Sequence, residues 1–126
     1  MSVQHRYDTS VEIPSLMLDV NALNPVTGIG TIQRAKIDTG ADLTRLPETL
    51  KQGLALLPFS QRTFRYGNNT SEEKPTYLCV IEIDGFKIDA EVYFGEFDYI
   101  LVGRNVLNHL KMLCHGKNQI FTLEDP

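Results

Sequence analysis

Short runs in which apolar and polar residues alternate dominate the chain, and turn signals separate the runs. The alternation is cleanest over residues 86–94, where every second side chain is apolar, as in a β-strand with one buried face. Asp84-Gly85 joins this run to the β-rich run 76–83, so the two runs predict a hairpin. Residues 16–37 repeat the arrangement, with a turn rich in Asn, Pro and Gly between two runs.

Two stretches have helical features. Residues 47–53 begin with Pro and end with Gly, which predicts a helix of about two turns. Residues 104–113 place apolar side chains at helical spacing, which predicts roughly two to three turns. A last strand is predicted over residues 119–123. Many short strands with one good helix indicate an all-β fold, either a small barrel or a sandwich.

Length and charge narrow the class of protein. The chain has 126 residues, the size of one domain, and 42% of them are apolar, which is enough for a core. It carries 12 Lys and Arg against 16 Asp and Glu, a net charge of −4, and no basic run is present. A nucleic-acid partner would require a basic surface. We therefore expect a single domain over residues 1–126 that binds no nucleic acid.

The sequence also predicts where the protein resides. The longest uncharged window, residues 20–33, is too short and too polar to span a bilayer. The N-terminal residues lack the apolar core of a signal peptide. Two cysteines, Cys79 and Cys114, cannot form the disulfide framework of a small secreted domain. These observations predict a cytoplasmic protein without a membrane partner.

Two short segments carry the candidate chemistry. In the first, Asp38-Thr39-Gly40, a carboxylate ends an apolar strand and is followed by a hydroxyl residue and a turn-forming glycine. In the second, Gly103 and Arg104 follow another apolar strand, and Gly103 comes 103 − 38 = 65 residues after Asp38. The first segment alone is equally compatible with an ordinary loop turn. The two segments in this order, in a β-rich chain of this length, are far more specific.

The chain resembles the retropepsin-like aspartic proteases through two motifs, which consist of Asp38-Thr39-Gly40-Ala41-Asp42 and Leu101-Val102-Gly103-Arg104-Asn105. These single-domain, retroviral-type proteases occur in retroviruses, retroelements and bacteria. The resemblance extends over residues 14–123 and implies an acid-protease barrel with one short C-terminal helix and a flap hairpin. The flap would lie at residues 62–77, whose polar character resembles that of bacterial members. Residues 1–13 would form an N-terminal extension.

The resemblance implies that Asp38 is the catalytic residue of an aspartic endopeptidase. Because the chain has one Asp-Thr-Gly motif, a pair of catalytic aspartates implies a symmetric homodimer that contributes Asp38 twice. A water held between the two carboxylates would attack a peptide bond of a polypeptide substrate. The resemblance implies no metal and no other cofactor.

Other residues of the motifs would support this site. The resemblance implies that Thr39, Gly40 and Ala41 support the active-site loop. Within that loop, Thr39 would contact the partner subunit and Gly40 would hydrogen-bond the substrate backbone. Asp42 and Arg104 would form an ion pair beneath the site, which is either a plain surface pair or a partly buried pair near the dimer contact.

Alternatives of two kinds stay open. The same barrel suits a catalytically silent dimerisation or peptide-binding module, which the polar flap favours and the intact Asp-Thr-Gly disfavours. The chain also suits the protease segment of a larger retroelement polyprotein, although Met1 at its start disfavours this. Gly28-Ile29-Gly30 lacks the third glycine of a dinucleotide loop, and Cys79, Cys114, His109 and His115 lack the spacing of zinc ligands.

Overall fold

Ten β-strands and two single-turn α-helices form most of the regular structure in residues 2–125, which this computed structural model describes. Met1 and Pro126, the two ends of the predicted domain, lie outside the described residues. The strands are β1 (Ser2–Arg6), β2 (Met17–Leu23), β3 (Gly30–Ile37), β4 (Thr44–Pro47), β5 (Pro58–Arg65), β6 (Ser71–Ile83), β7 (Phe86–Gly95), β8 (Ile100–Val102), β9 (Lys111–His115) and β10 (Ile120–Glu124). The helices are α1 (Lys51–Leu54), after a 3₁₀ turn at Glu48–Leu50, and α2 (Arg104–Leu107).

Six of the strands form a closed barrel. Their order is β2-β3-β8-β4-β7-β6, and antiparallel pairing between β2 and β6 closes the ring. The pairs β3–β8 and β4–β7 are parallel, whereas the other neighbours in the ring are antiparallel. β5 pairs with β6 outside the ring and extends it into a long hairpin. The predicted all-β barrel with a short helix is confirmed.

The alternating sequence pattern fills the barrel interior. β7 buries every second side chain, namely Ile88, Ala90, Val92 and Phe94. β2 does the same with Leu18, Val20 and Ala22. Each large apolar side chain that is fully buried contributes about 1.5–3 kcal/mol relative to exposure. At the β6–β7 turn, Asp84 and Gly85 both have positive φ, 51° and 84°, as the predicted tight hairpin requires.

A second sheet, with the order β1-β10-β9, contains part of the predicted N-terminal extension. β1 pairs antiparallel with β10, so the start of the chain is built into the fold. His5 of β1 stacks on the buried Phe121 of β10, with 5.0 Å between ring centroids. His5 Nε2 also lies 2.7 Å from Asp84 Oδ2 in the β6–β7 turn. These contacts fasten the second sheet to the barrel.

Both helices differ from their predicted bounds. α2 ends at Leu107, and the predicted helix over 104–113 is wrong beyond that point because β9 pairs with β10 there. Apolar spacing did not reveal this pairing, which leaves Leu113 46% exposed. The helix predicted over 47–53 begins later, because Pro47 ends β4 and residues 48–50 form a 3₁₀ turn. α1 ends at Leu54 rather than at Gly53, and the residue that follows it, Ala55, has a left-handed φ of 50°. Within residues 2–125, no helix is long and apolar enough to span a membrane.

Candidate active site

The Asp38 loop begins where β3 leaves the barrel. The Asp38 amide donates to the Val102 carbonyl of β8 at 3.0 Å, which continues the parallel pairing for one more residue. The Gly40 amide then donates to Asp38 Oδ1 at 2.9 Å, and the Ala41 amide donates to the Asp38 carbonyl at 3.2 Å. Asp38 is half-buried, whereas Thr39 and Gly40 are exposed. The turn therefore holds one carboxylate at the surface of the chain.

The second motif crosses directly behind this loop. An added Cβ on Gly103 would lie 2.4 Å from the Leu43 carbonyl oxygen, so the close crossing requires glycine. The Arg104 amide donates to the Ala41 carbonyl at 2.8 Å, and the Asn105 amide donates to the Asp42 carbonyl at 3.2 Å. The structure thus brings together the two motifs that the sequence separates by 65 residues.

A buried hydroxyl group fixes the crossing. Thr44 is fully buried and accepts a hydrogen bond from the Gly103 amide at 3.1 Å. Its hydroxyl donates to Asn105 Oδ1 at 2.9 Å, and Asn105 Nδ2 donates to the Glu91 carbonyl at 2.8 Å. Thr44 was not among the residues predicted from the motifs. Its only signal in the sequence is a hydroxyl residue two positions after the first motif, and its burial is visible only in the structure.

Asp42 and Arg104 form the expected ion pair between Asp42 Oδ1 and Arg104 Nη2. Arg104 Nη1 also donates to the Thr39 carbonyl at 3.1 Å, so one guanidinium holds the loop at two points. The Asp42 side chain is 83% exposed and that of Arg104 is 47% exposed in the single chain. The pair is therefore a surface contact of this chain, and its supporting role stays a prediction.

The flap hairpin consists of β5, β6 and the turn at residues 66–70, which the Tyr66 amide closes by donating to the Thr70 carbonyl. Arg62 donates two hydrogen bonds, 2.6 and 2.7 Å long, to the carboxylate of Glu91 on β7. These bonds lower the pKa of Glu91 below its ordinary value. Phe64 packs on Tyr93, with 4.4 Å between ring centroids. The second half of β5 is thus anchored to β7, whereas the turn at residues 66–70 is exposed.

A cleft of about 460 Å³ separates the Asp38 loop from the flap hairpin. One wall consists of residues 40–43, and the other consists of residues 62–65 together with Tyr93. The cleft suits an extended peptide, because the exposed edge of β5 and the Asp38 loop face it from opposite sides. Asp38 precedes the residues that line the loop wall, and a carboxyl group next to such a cleft can act as a base toward water or as a proton donor.

Candidate metal ligands are scattered. Within residues 2–125, no group of three or more His, Cys, Asp or Glu side chains is placed to hold a metal ion. Cys79 is buried in β6, and burial raises the pKa of its thiol to about 11, whereas Cys114 is exposed on β9.

Known proteins resemble the chain in both sequence and fold. Residues 29–114, about two thirds of the chain, match the family model of the spumavirus aspartic protease (A9). No curated protein sequence matches the chain. The solution structure of simian foamy virus (mac) protease has a TM-score of 0.56 and 22% identity, covering 74% of this chain and 92% of that one.

Two further structures widen the comparison. A retropepsin-like aspartic protease from Rickettsia conorii has a TM-score of 0.64 at 17% identity, covering 98% of this chain and 90% of that one. The foamy viral protease-reverse transcriptase, solved in complex with an RNA/DNA hybrid, has a TM-score of 0.60 at 23% identity. That match covers 77% of this chain, which spans only 12% of the viral chain. At such identities the structures establish the fold.

The family model, the closed barrel and the crossing of the two motifs agree with one another. The matched residues 29–114 include both motifs and the whole flap hairpin. The resemblance to retropepsin-like proteases is thereby confirmed. The chain belongs to the spumavirus aspartic protease (A9) family, a family of aspartic endopeptidases with the retropepsin-like fold.

Proposed function

We propose that the chain hydrolyses peptide bonds as a homodimer, in which the Asp38 carboxylates of the two subunits lie together across a two-fold axis. The observation that carries the proposal is the exposed Asp38 loop. Asp38 is held by Gly40 and by β8 but lies beside the exposed Thr39 and Gly40. A single chain therefore presents one carboxylate of the pair on a surface that a second copy can cover.

Three other aspartates, Asp84, Asp89 and Asp98, can be compared with Asp38 as sources of a second carboxylate within the chain. Asp84 contacts His5 in the β6–β7 turn, and Asp89 lies on the exposed face of β7. Asp98 lies in the short loop between β7 and β8, before the apolar strand β8, whereas Asp38 directly follows the apolar strand β3. Each lies in a setting unlike that of Asp38, which supports the homodimer as the source of the pair.

The proposed reaction divides acid and base roles between the two carboxyl groups. Two apposed carboxylates share one proton, because both cannot be ionised at close range. The ionised Asp38 accepts a proton from the water as the water oxygen attacks the peptide carbonyl carbon. The protonated Asp38 donates to the carbonyl oxygen, and the tetrahedral species then expels the amine, which takes up a proton. No covalent enzyme intermediate forms.

The test is turnover of a mixed peptide library by the wild type and by Asp38→Asn, between about pH 4 and pH 7, the range that brackets a proton-sharing pair. An amide can neither accept nor donate this proton, so we expect a loss of at least about 10²–10⁴-fold. Asp89→Asn, the same change on the exposed face of β7, is the matched control and should retain activity.

Wild-type activity should be highest at acidic to mildly acidic pH and should fall more than linearly on dilution, since the dimer dissociates. Cleavage by Asp38→Asn at the wild-type rate would contradict the proposal. Full specific activity in a species that sediments as a monomer would contradict the homodimer. Cleavage by neither protein would favour the silent peptide-binding module.

A further inference from the structure

Three charged side chains line the cleft, and only two of them have a partner of opposite charge. The three are Asp42, Arg62 and Arg65. Arg62 is neutralised by its two hydrogen bonds to Glu91, and Asp42 is neutralised by Arg104. Within residues 2–125, no carboxylate lies within 4.0 Å of the Arg65 guanidinium. The lining therefore keeps one uncompensated positive charge, in a chain whose net charge is −4.

The flap hairpin does not provide a partner for this guanidinium. Arg65 is the last residue of β5, and its partner across the hairpin is the uncharged Ser71. Glu72 lies opposite Phe64 and accepts a hydrogen bond from the Tyr66 hydroxyl at 3.1 Å, whereas Glu73 lies opposite Thr63. Arg65 is exposed and lines the cleft. Its five N–H donors are thus available to a molecule that enters the cleft.

We propose that the cleft selects peptides with an acidic side chain, Glu or Asp, close to the scissile bond, and that Arg65 is the residue that recognises it. This inference rests on the proposed peptidase function and adds the chemical class of the substrate. A guanidinium matches a carboxylate through two parallel hydrogen bonds, which an amide side chain of the same shape cannot replace.

The charge at the reaction centre does not cancel this preference. In the proposed dimer, the two Asp38 groups share one proton and carry one negative charge together. Each of the two clefts contributes one Arg65, so the two Arg65 charges outnumber the single negative charge of the Asp38 pair. Arg65 also belongs to the flap wall, on the other side of the cleft from the Asp38 loop.

The test compares kcat/KM for quenched fluorescent peptides that differ only by Glu or Gln at one position, scanned along a cleaved sequence. Measurements at about pH 6 and low salt keep the Glu side chain ionised and the attraction unscreened. The wild type should favour Glu at one position by about three- to five-fold, as expected for one exposed ion pair. Arg65→Gln should abolish the preference, and Arg65→Lys should keep part of it.

Arg34→Gln is the matched control, because Arg34 is an exposed β3 residue that pairs with Asp19 and does not line the cleft. It should leave the Glu/Gln ratio unchanged. An unchanged ratio in Arg65→Gln, or no Glu preference at any position of the wild type, would overturn the inference while leaving the proposed peptidase intact.

A binding experiment separates this inference from the proposed function. Fluorescence anisotropy of the same labelled peptides with Asp38→Asn reports occupancy of the cleft without cleavage. Tighter binding of the Glu peptide by Asp38→Asn, lost in the double variant Asp38→Asn/Arg65→Gln, would support the role of Arg65 even if the wild type cleaves nothing. Equal binding of Glu and Gln peptides would contradict it.

Discussion

The two walls of the cleft differ in how their backbones are held. The loop wall, residues 40–43, is fixed by backbone hydrogen bonds to the crossing segment 102–105 and by the fully buried Thr44 that follows it. The flap wall is a two-stranded hairpin, and seven of the eight residues of β5 are exposed. It is attached through the Arg62–Glu91 hydrogen bonds and the Phe64–Tyr93 contact.

This difference separates two tasks. In the proposed function, acid–base chemistry requires a carboxylate whose position varies little, and the crossing of the two motifs behind Asp38 provides that constraint. The proposed recognition of substrates requires side chains that line the cleft without being part of the core, and the hairpin carries such side chains. Substitutions in the loop wall or in the residues that fix it should therefore affect stability and activity together, and those in the flap wall should mainly affect which peptides bind.

The largest effect is expected for Gly103→Ala. The added Cβ would lie 2.4 Å from the Leu43 carbonyl oxygen, so the crossing must open. We expect a loss of about 3 kcal/mol or more in the free energy of unfolding, at the upper end for overpacked positions, together with loss of activity. Urea unfolding measures it. Gly53→Ala, where an added Cβ meets nothing within 4 Å, is the control and should not destabilise.

Thr44→Val tests the buried hydroxyl group. Valine has nearly the same shape but leaves the Gly103 amide and Asn105 Oδ1 without a partner. We expect destabilisation of about 1–3 kcal/mol, the cost of an unsatisfied buried polar group, and reduced turnover. Thermal or urea unfolding provides the measurement, and Thr44→Ser should retain most of the stability. Wild-type stability in Thr44→Val would show that the hydroxyl does not hold the crossing.

Arg104→Lys should destabilise the chain less than Gly103→Ala or Thr44→Val, and its main effect should be on activity. Lysine cannot contact Asp42 and the Thr39 carbonyl together in the planar geometry of a guanidinium. Because the pair is exposed in the single chain, we expect no more than about 1 kcal/mol of lost stability. Dimer affinity by sedimentation and turnover should both fall. Unchanged values of both would reduce the pair to an ordinary surface contact.

The smallest effect is expected at the contact between β5 and β7, for Glu91→Gln. Arg62 lowers the pKa of Glu91, so the ionised carboxylate stabilises the fold above its unfolded-state pKa, and this contribution is lost as pH falls through the lowered value. The free energy of unfolding of the wild type should exceed that of the variant by up to about 1 kcal/mol at neutral pH, and this excess should shrink as the pH falls through the lowered pKa of Glu91. Urea unfolding at several pH values measures the difference. Glu96→Gln, the same change at an exposed residue beyond β7, is the matched control.

Much of the fold was predictable because strand patterns are local. Side chains alternate with a period of two, so the buried faces of β2 and β7 are visible in the sequence itself. The Asp84-Gly85 turn is equally local, because its two positive φ angles depend on those two residues. The two motifs were found for the same reason, and their resemblance to a known family supplied the fold that joins them.

The tertiary structure decided what depends on distant partners. Whether residues 111–115 continue a helix or form a strand depended on pairing with β10, which apolar spacing cannot show. The role of Thr44 depends on its hydrogen bonds to Gly103 and Asn105, which lie about 60 residues away in the sequence (103 − 44 = 59 and 105 − 44 = 61).

The cleft follows the same rule. The two flap arginines are alike in the sequence, but Glu91 of β7 neutralises Arg62 and leaves Arg65 without a partner among residues 2–125. The sequence by itself therefore determined most of the strands and the two family motifs. Only the closed barrel decided which charges are compensated, because long-range pairing sets the distance between charged groups and hence their interaction.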